Sequence, residues 1–251
     1  MTNAEIGPGE FYPVVGVGPH PKPWPTESHF DRELLENGDR RNVLDKYRYW
    51  SVSAIVADLD THRHQLQIAI ENWQHDLNIG SVVRTANAFN VSKVHIVGKR
   101  DWNRRGAMVT DKYLHVLHHP TVEEFKKALE ALKAKGMVNL ILDLQANGGG
   151  YLNRAYELAD EFLSDGKKVV YTRGRTSPPE DYTSTSKGGF EKGKLAVLID
   201  ESSASASEIV SGAIQDWDRG LIIGRRSFGK GLVQSVYPLA NKTGLALTTS
   251  L

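Results

Sequence analysis

SSASASEIVSGAIQDWDRGLIIGRRSFGKGLVQ, residues 202–234, is the stretch on which the reading of this chain turns. Its Ser/Ala-rich turn opens a helix near Ala204 or Ser205, and Gly220 closes that helix. The apolar run KLAVLID (194–200) just before it predicts a buried strand, and LIIGRRSFGKGLVQSVYPL after it predicts two more. Upstream, VEEFKKALEALKAKG (122–136) has strong helix propensity and ends on Gly136. MVNLILDL (137–144) reads as a buried strand running into the glycine turn NGGG at 147–150. A helix through AYELADEFLSDG then leads to the strand KKVVYTRG (167–174), and 175–193 reads as a polar loop. Strands alternating with helices predict an α/β layered fold.

The first half repeats that alternation. Residues 1–30 are rich in Gly and Pro and predict an extended segment, and 31–50 carry dense charge with the spacing of a short helix. QLQIAIENW (65–73) predicts a buried strand. A helix from Ile79 to Phe89 follows with Asn78 as its N-cap, and KVHIVG (93–98) is the next strand. The expected domains are therefore a Pro/Gly-rich segment (1–30), one α/β segment (31–121) and a second (122–251).

Composition narrows the function. The chain has 251 residues, 40% hydrophobic and 24% charged, with a net charge of +1, so no global field argues for nucleic acid or a membrane surface. No cysteine is present, which excludes disulfides, thiolate nucleophiles and cysteine zinc sites. No apolar run approaches the roughly 20 residues of a membrane span. Met1 to Gly9 lack the basic and apolar regions of a signal peptide, which makes a cytoplasmic location the default expectation. All nine histidines fall in the first 119 residues, so the second half alone cannot assemble a Ser-His-Asp triad. The pairs His62/His64 and His118/His119 have poor spacing for a metal on one helix face, and no metal site is expected.

The stretch 202–234, together with EEFKKALEALKAKGMVNLILDLQANGGGYL upstream, resembles the active-site region of the carboxyl-terminal processing (tail-specific) serine proteases. SASASE alone is a weak signal; the combined pattern, over about residues 122–250, is specific. The resemblance implies a crotonase-like α/β core and a polypeptide substrate held as an extended or C-terminal segment. By position it makes Ser205 the nucleophile, Lys230 the general base and Gln234 the residue that orients the lysine. The oxyanion donors fall on the backbone N–H groups of Gly150 and Ala206, and Glu208 and Asp216 also match family positions. The chemistry agrees with these roles. A hydroxyl at a helix N-terminus lies beside unpaired N–H donors that suit a developing oxyanion. A lysine accepts a proton only when neutral, which burial favours. If GKGLVQ is one strand, Lys230 and Gln234 point to the same face.

The pattern also departs from that family. LDLQAN stands where it usually reads L-D-L-R-G-N, so Ala146 occupies a turn position that suits glycine. No PDZ-like segment precedes the core, and LALTTSL ends the chain where the family continues. Both a working peptidase and one inactivated by truncation are compatible with these residues.

IENWQHDLNIGSVVRTANAFNVSKVHIVGKRDWNRRGAMVT (70–110) resembles the first motif of SPOUT-class RNA ribose 2′-O-methyltransferases, over about residues 14–120. That resemblance implies an incomplete Rossmann-like unit in which Asn78 and Arg84 match active-site residues. Lys99, Arg100, Arg104, Arg105 and Lys112 become candidates for phosphate contacts. The two glycine-rich motifs of the knotted S-adenosylmethionine half are missing, so no cofactor is expected. An RNA-binding remnant without methyl transfer is the alternative function, and the whole reads as a chimera.

Overall fold

In the computed structural model, which describes residues 16–72, 78–175, 178–240 and 243–250, the first half is organised by a β-α-β unit. The chain divides into two units, Met1–Ala131 and Leu132–Leu251. The reading of residues 1–15 as extended and leaderless lies outside the described residues.

The first unit begins with α1 (Arg32–Asn37), whose cap Asp31 accepts from the Glu33 and Leu34 N–H groups, and α2 (Val52–Asp60), capped by Ser51. Strand β1 (His64–Glu71), helix α3 (Ile79–Ala88), strand β2 (Val91–Val97) and strand β3 (Val116–His119) follow. The strands form a parallel sheet in the order β1-β2-β3. Ile79, Val83 and Ala86, spaced four and three apart, put one apolar stripe of α3 onto Val91, Val94 and Ile96. Central β2 is buried almost throughout, as a parallel strand covered on both faces must be. The expected strand 65–73 is realised as β1, and Trp73 lies outside the described residues. Helix α4 (Val122–Ala134) contains the point where the two units divide.

The second unit contains β4 (Asn139–Asp143), α5 (Leu152–Asp160), β5 (Lys168–Thr172), β6 (Glu180–Thr183) and β7 (Lys194–Ile199). After these come α6 (Ala206–Asp216), β8 (Leu221–Gly224), β9 (Val233–Pro238) and β10 (Gly244–Ser250). Strands β4, β7 and β8 form a parallel sheet in the order β4-β7-β8, while β5-β6 and β9-β10 are antiparallel pairs. Leu195 and Val197, two apart on β7, pack with Val210 and Ile214, four apart on α6, and with Ala155 of α5. Ile214 is fully buried, so Ile214→Ala costs roughly 2–5 kcal/mol through lost burial and a cavity. The other face of the sheet leaves Ile141, Leu221 and Ile223 exposed.

The molecule is mixed α/β, as expected, with local corrections: β1 and β4, expected as buried strands, contain no buried residue, and α6 ends at Asp216, short of Gly220. The loop expected at 175–193 contains β6, whose EDYT has no apolar periodicity to announce it. Helix α2 and strands β3 and β10 were not foreseen. GKGLVQ is not one strand: Lys230 lies in irregular backbone and β9 begins at Val233, because glycines on both sides of Lys230 weaken strand formation. Among the described residues no helix is long and apolar enough to cross a membrane.

Candidate active site

The turn between β7 and α6 is held from below. Asp200 Oδ1 accepts the N–H groups of Ser202 (2.9 Å), Ser203 (3.1 Å) and, from the glycine turn, Ala146 (3.0 Å). Ser203, fully buried, donates its hydroxyl to the Leu144 carbonyl at 2.7 Å. The Asn147 carbonyl accepts both the Ala204 N–H and the Ser207 hydroxyl at 3.0 Å. Turn 144–150 and turn 200–207 are thereby one hydrogen-bonded body.

Ser205 sits at its apex, half-buried, with φ 57° and ψ −113°. A serine gains nothing from that backbone conformation by itself, and such strain, of order 1–3 kcal/mol, gathers at functional turns. Gly149 presses against it: a Cβ there would lie 2.4 Å from the Ala204 carbonyl oxygen, 2.7 Å from the Ala206 nitrogen and 2.9 Å from Ser205 Cβ. With φ +94° as well, the position admits only glycine. Ala206 opens α6, so its N–H has no partner one turn back in the helix. Gly150, next to Gly149, is exposed at the same turn. Ala146 adopts φ +55°, the left-handed conformation that the family's glycine would meet without strain.

Glu208 ties the serine to the lysine segment. Its Oε2 accepts the Ser205 N–H at 2.7 Å and the Lys230 N–H at 2.9 Å. Its Oε1 accepts the Ser227 hydroxyl at 2.8 Å and the Gly229 N–H at 2.6 Å. Burial acts to raise this carboxyl's pKa, and the four donors outweigh it, so the net direction is down and Glu208 stays ionised. A carboxylate therefore adjoins the backbone of Lys230. The Lys230 side chain is exposed and makes no hydrogen bond with Ser205. Gln234 lies on β9, paired in register with Thr248 of β10, and is exposed. Sequence reasoning put Glu208 and Gly149 outside the catalytic set. The signals for them were the S-x-x-E spacing of a capping box and the triple glycine.

In the first unit, Asn78 stands at the N-cap position of α3, but its side chain makes no capping bond; its carbonyl accepts the Val82 N–H at 2.9 Å. Its backbone is already helical there, which turns the carbonyl rather than the amide side chain to the helix. Arg84 is exposed on the same helix, and among the described residues no hydrogen bond joins the two. Arg104 is engaged with Asp111 at 3.4 Å and lies over the Trp102 ring. His119 pairs with buried His95 rather than with His118: His95 Nδ1 and His119 Nε2 are 2.9 Å apart, and His95 Nε2 is 2.8 Å from Gln67 Oε1. Burial first, then the neighbouring His119 and Lys93, push His95 from 6.5 down to about 4. Among the described residues, no group of three His, Asp or Glu side chains could hold a metal ion.

The model of peptidase family S41 matches residues 112–251, more than half of the sequence. The chain belongs to peptidase family S41. Over 160 residues it is 33% identical to a carboxyl-terminal-processing protease of Synechocystis, covering 64% of this chain and 37% of that protein. A solved photosystem II D1 C-terminal processing protease is 33% identical, with a TM-score of 0.46 over 51% of this chain and 33% of that one. The chain thus spans about a third of the length of these relatives. The SpoU methyltransferase AviRb of Streptomyces viridochromogenes is 15% identical with a TM-score of 0.34, covering 70% of this chain and 57% of that one. Neither the contacts of the first unit nor these likenesses support an RNA partner.

Proposed function

We propose that the S41 segment is a serine peptidase core of the carboxyl-terminal processing kind, with Ser205 as nucleophile, Lys230 as general base and Gln234 orienting the lysine. One observation carries the reading: a single carboxylate oxygen, Glu208 Oε2, accepts from the backbone of both Ser205 and Lys230. Two residues 25 positions apart are tied to one anchor at the N-terminus of one helix.

In this reading Ser205 Oγ attacks a peptide carbonyl lying against the glycine turn, and its proton passes to the neutral Lys230 amine. The N–H groups of Gly150 and Ala206 receive the oxyanion. Lys230 then gives the proton to the leaving amine, and water, deprotonated by the same lysine, releases the acyl group from Ser205. The amine must come within about 2.6–3.2 Å of the hydroxyl for this. The Lys230 side chain is exposed, so its amine must turn toward Ser205 for catalysis while its backbone stays on Glu208. The substrate is an extended polypeptide segment.

Cleavage of an unfolded polypeptide by the intact chain, compared with Ser205→Ala and Lys230→Ala, tests the proposal. Each substitution is expected to lower the rate at least about 10³-fold. Cleavage unchanged in both variants sinks it.

A further inference from the structure

The helix that presents Ser205 at one end frames a second feature at the other. Trp217 follows the last residue of α6, and its indole Nε1 donates to the Lys168 carbonyl at 2.8 Å. The adjacent Lys167 carbonyl instead accepts the Ser184 N–H next to β6, so Lys168 faces the opposite edge of β5. Among the described residues that edge has no strand partner. A cleft of about 360 Å³ runs along it, lined by Lys168, Val169, Val170, Tyr171, Asp216 and Trp217.

Its aromatic rings are open to solvent, Tyr171 52% and Trp217 40% exposed. Each carries a cation: Lys167 Nζ lies 4.1 Å from the Trp217 ring centre and the Arg173 guanidinium 5.3 Å from that of Tyr171. Lys168 is paired with Asp181 at 3.2 Å, and Asp216 is the one carboxylate in the lining. Three cations against two carboxylates leave an excess of one positive charge around the cleft. Unpaired strand edges are templates for an added strand, and cations beside exposed aromatics favour carboxylates with flat or apolar neighbours.

We propose that this cleft binds an extended peptide segment bearing carboxylate side chains, which adds as a strand to the free edge of β5. Its main chain pairs with β5, and its carboxylates meet Lys167 and Arg173. The 11 residues of α6 span about 16 Å at 1.5 Å each. An extended peptide covers that in about five residues at roughly 3.3 Å each. The occupant is therefore a remote part of the same polypeptide that Ser205 cuts, and this much rests on the peptidase reading; the binding itself requires no cleavage.

The test is fluorescence anisotropy on the full chain with a fluorescein-labelled, end-blocked octapeptide of alternating Glu and Val. Parallel probes are its Lys–Val counterpart, a Glu–Val peptide N-methylated at alternate residues, and single-stranded oligothymidylate. Glu–Val is expected to bind best, and Lys167→Glu with Arg173→Glu, the first half-buried and the second exposed, to weaken it about tenfold. Trp217→Ala is expected to weaken it too, and N-methylation to abolish it, since an added strand needs its N–H groups. Equal binding of Lys–Val, indifference to the double charge reversal, or tolerance of N-methylation overturns the proposal. Tighter oligothymidylate binding also overturns it and makes the cleft a nucleic-acid surface. Cleavage without this binding refutes the cleft alone; this binding without cleavage refutes the peptidase reading alone.

Discussion

Each unit gathers hydrogen bonds on one polar side chain, buried His95 in the first and half-buried Glu208 in the second. His95 of the first unit is closed: Gln67 and His119, on the neighbouring strands, take both ring nitrogens, and Phe125 packs edge-on against it. Glu208 of the second unit is open: its four donors lie in the turn and loop that carry a half-exposed serine and an exposed lysine. Their surroundings also hold opposite states, His95 neutral and Glu208 ionised. The closed centre ties three strands together; the open one ties the backbone of the serine turn to that of the lysine loop. The second lies wholly within the S41 match, the first only through His119 and Phe125.

Removing the open centre separates positioning from binding. Glu208→Gln turns one acceptor oxygen into a donor, leaving N–H groups around it unpaired. Hydrolysis is expected to fall about 10²-fold in kcat with little change in KM, the split that distinguishes positioning from substrate binding. A drop confined to KM would place Glu208 in substrate contact instead.

For the closed centre the lever is pH. His95 takes up its proton near pH 4 in the fold but near 6.5 when unfolded, so its contribution is complete above about pH 6.5 and lost as pH falls toward 4. In urea unfolding of the first unit, His95→Gln is expected to remove roughly 2 kcal/mol of the stability difference between pH 7 and 4.5. An unchanged difference would mean that other groups set it. Asp39 titrates lower still. Burial opposes its ionisation, but Arg41 and the N–H groups of Tyr49 and Arg41 bring it to about 2, so its contribution disappears only between about pH 4 and 2.

Ser205→Gly sharpens the contrast between strain and structure. Glycine relieves the φ 57° turn, so stability is expected to rise by about 1 kcal/mol while hydrolysis is lost. A fall in melting temperature would show that the turn is relaxed. The smallest change is Ala146→Gly, expected to raise stability by about 0.5 kcal/mol by removing the φ +55° alanine, with activity retained.

How far these features could be read beforehand follows from their physics. The β7-α6-β8 succession was legible because two short apolar runs flank a stretch with helical apolar spacing across 194–224, although the helix ends at Asp216, short of Gly220. Strands β3 and β6 are four residues each and carry VLHH and EDYT, too short and too polar to show a period. Ser205, Lys230 and Glu208 were all singled out through resemblance, Glu208 without a catalytic role. That Gly149, rather than either neighbour, is the glycine no side chain can replace depends on a contact across 56 residues of sequence with Ser205. The approach of loop 227–230 to α6 depends on hydrogen bonds 19 to 22 residues long-range, which no local pattern encodes.

The most direct test of the Ser205–Lys230 pairing is the rate at which wild type and Lys230→Arg hydrolyse the same unfolded polypeptide. Arginine keeps the charge and the backbone N–H on Glu208 but cannot lose its proton. The account predicts cleavage by wild type and a rate at least about 10³-fold lower in the variant, with an unchanged melting temperature. Equal rates would contradict it, because Lys230 would then not be the base.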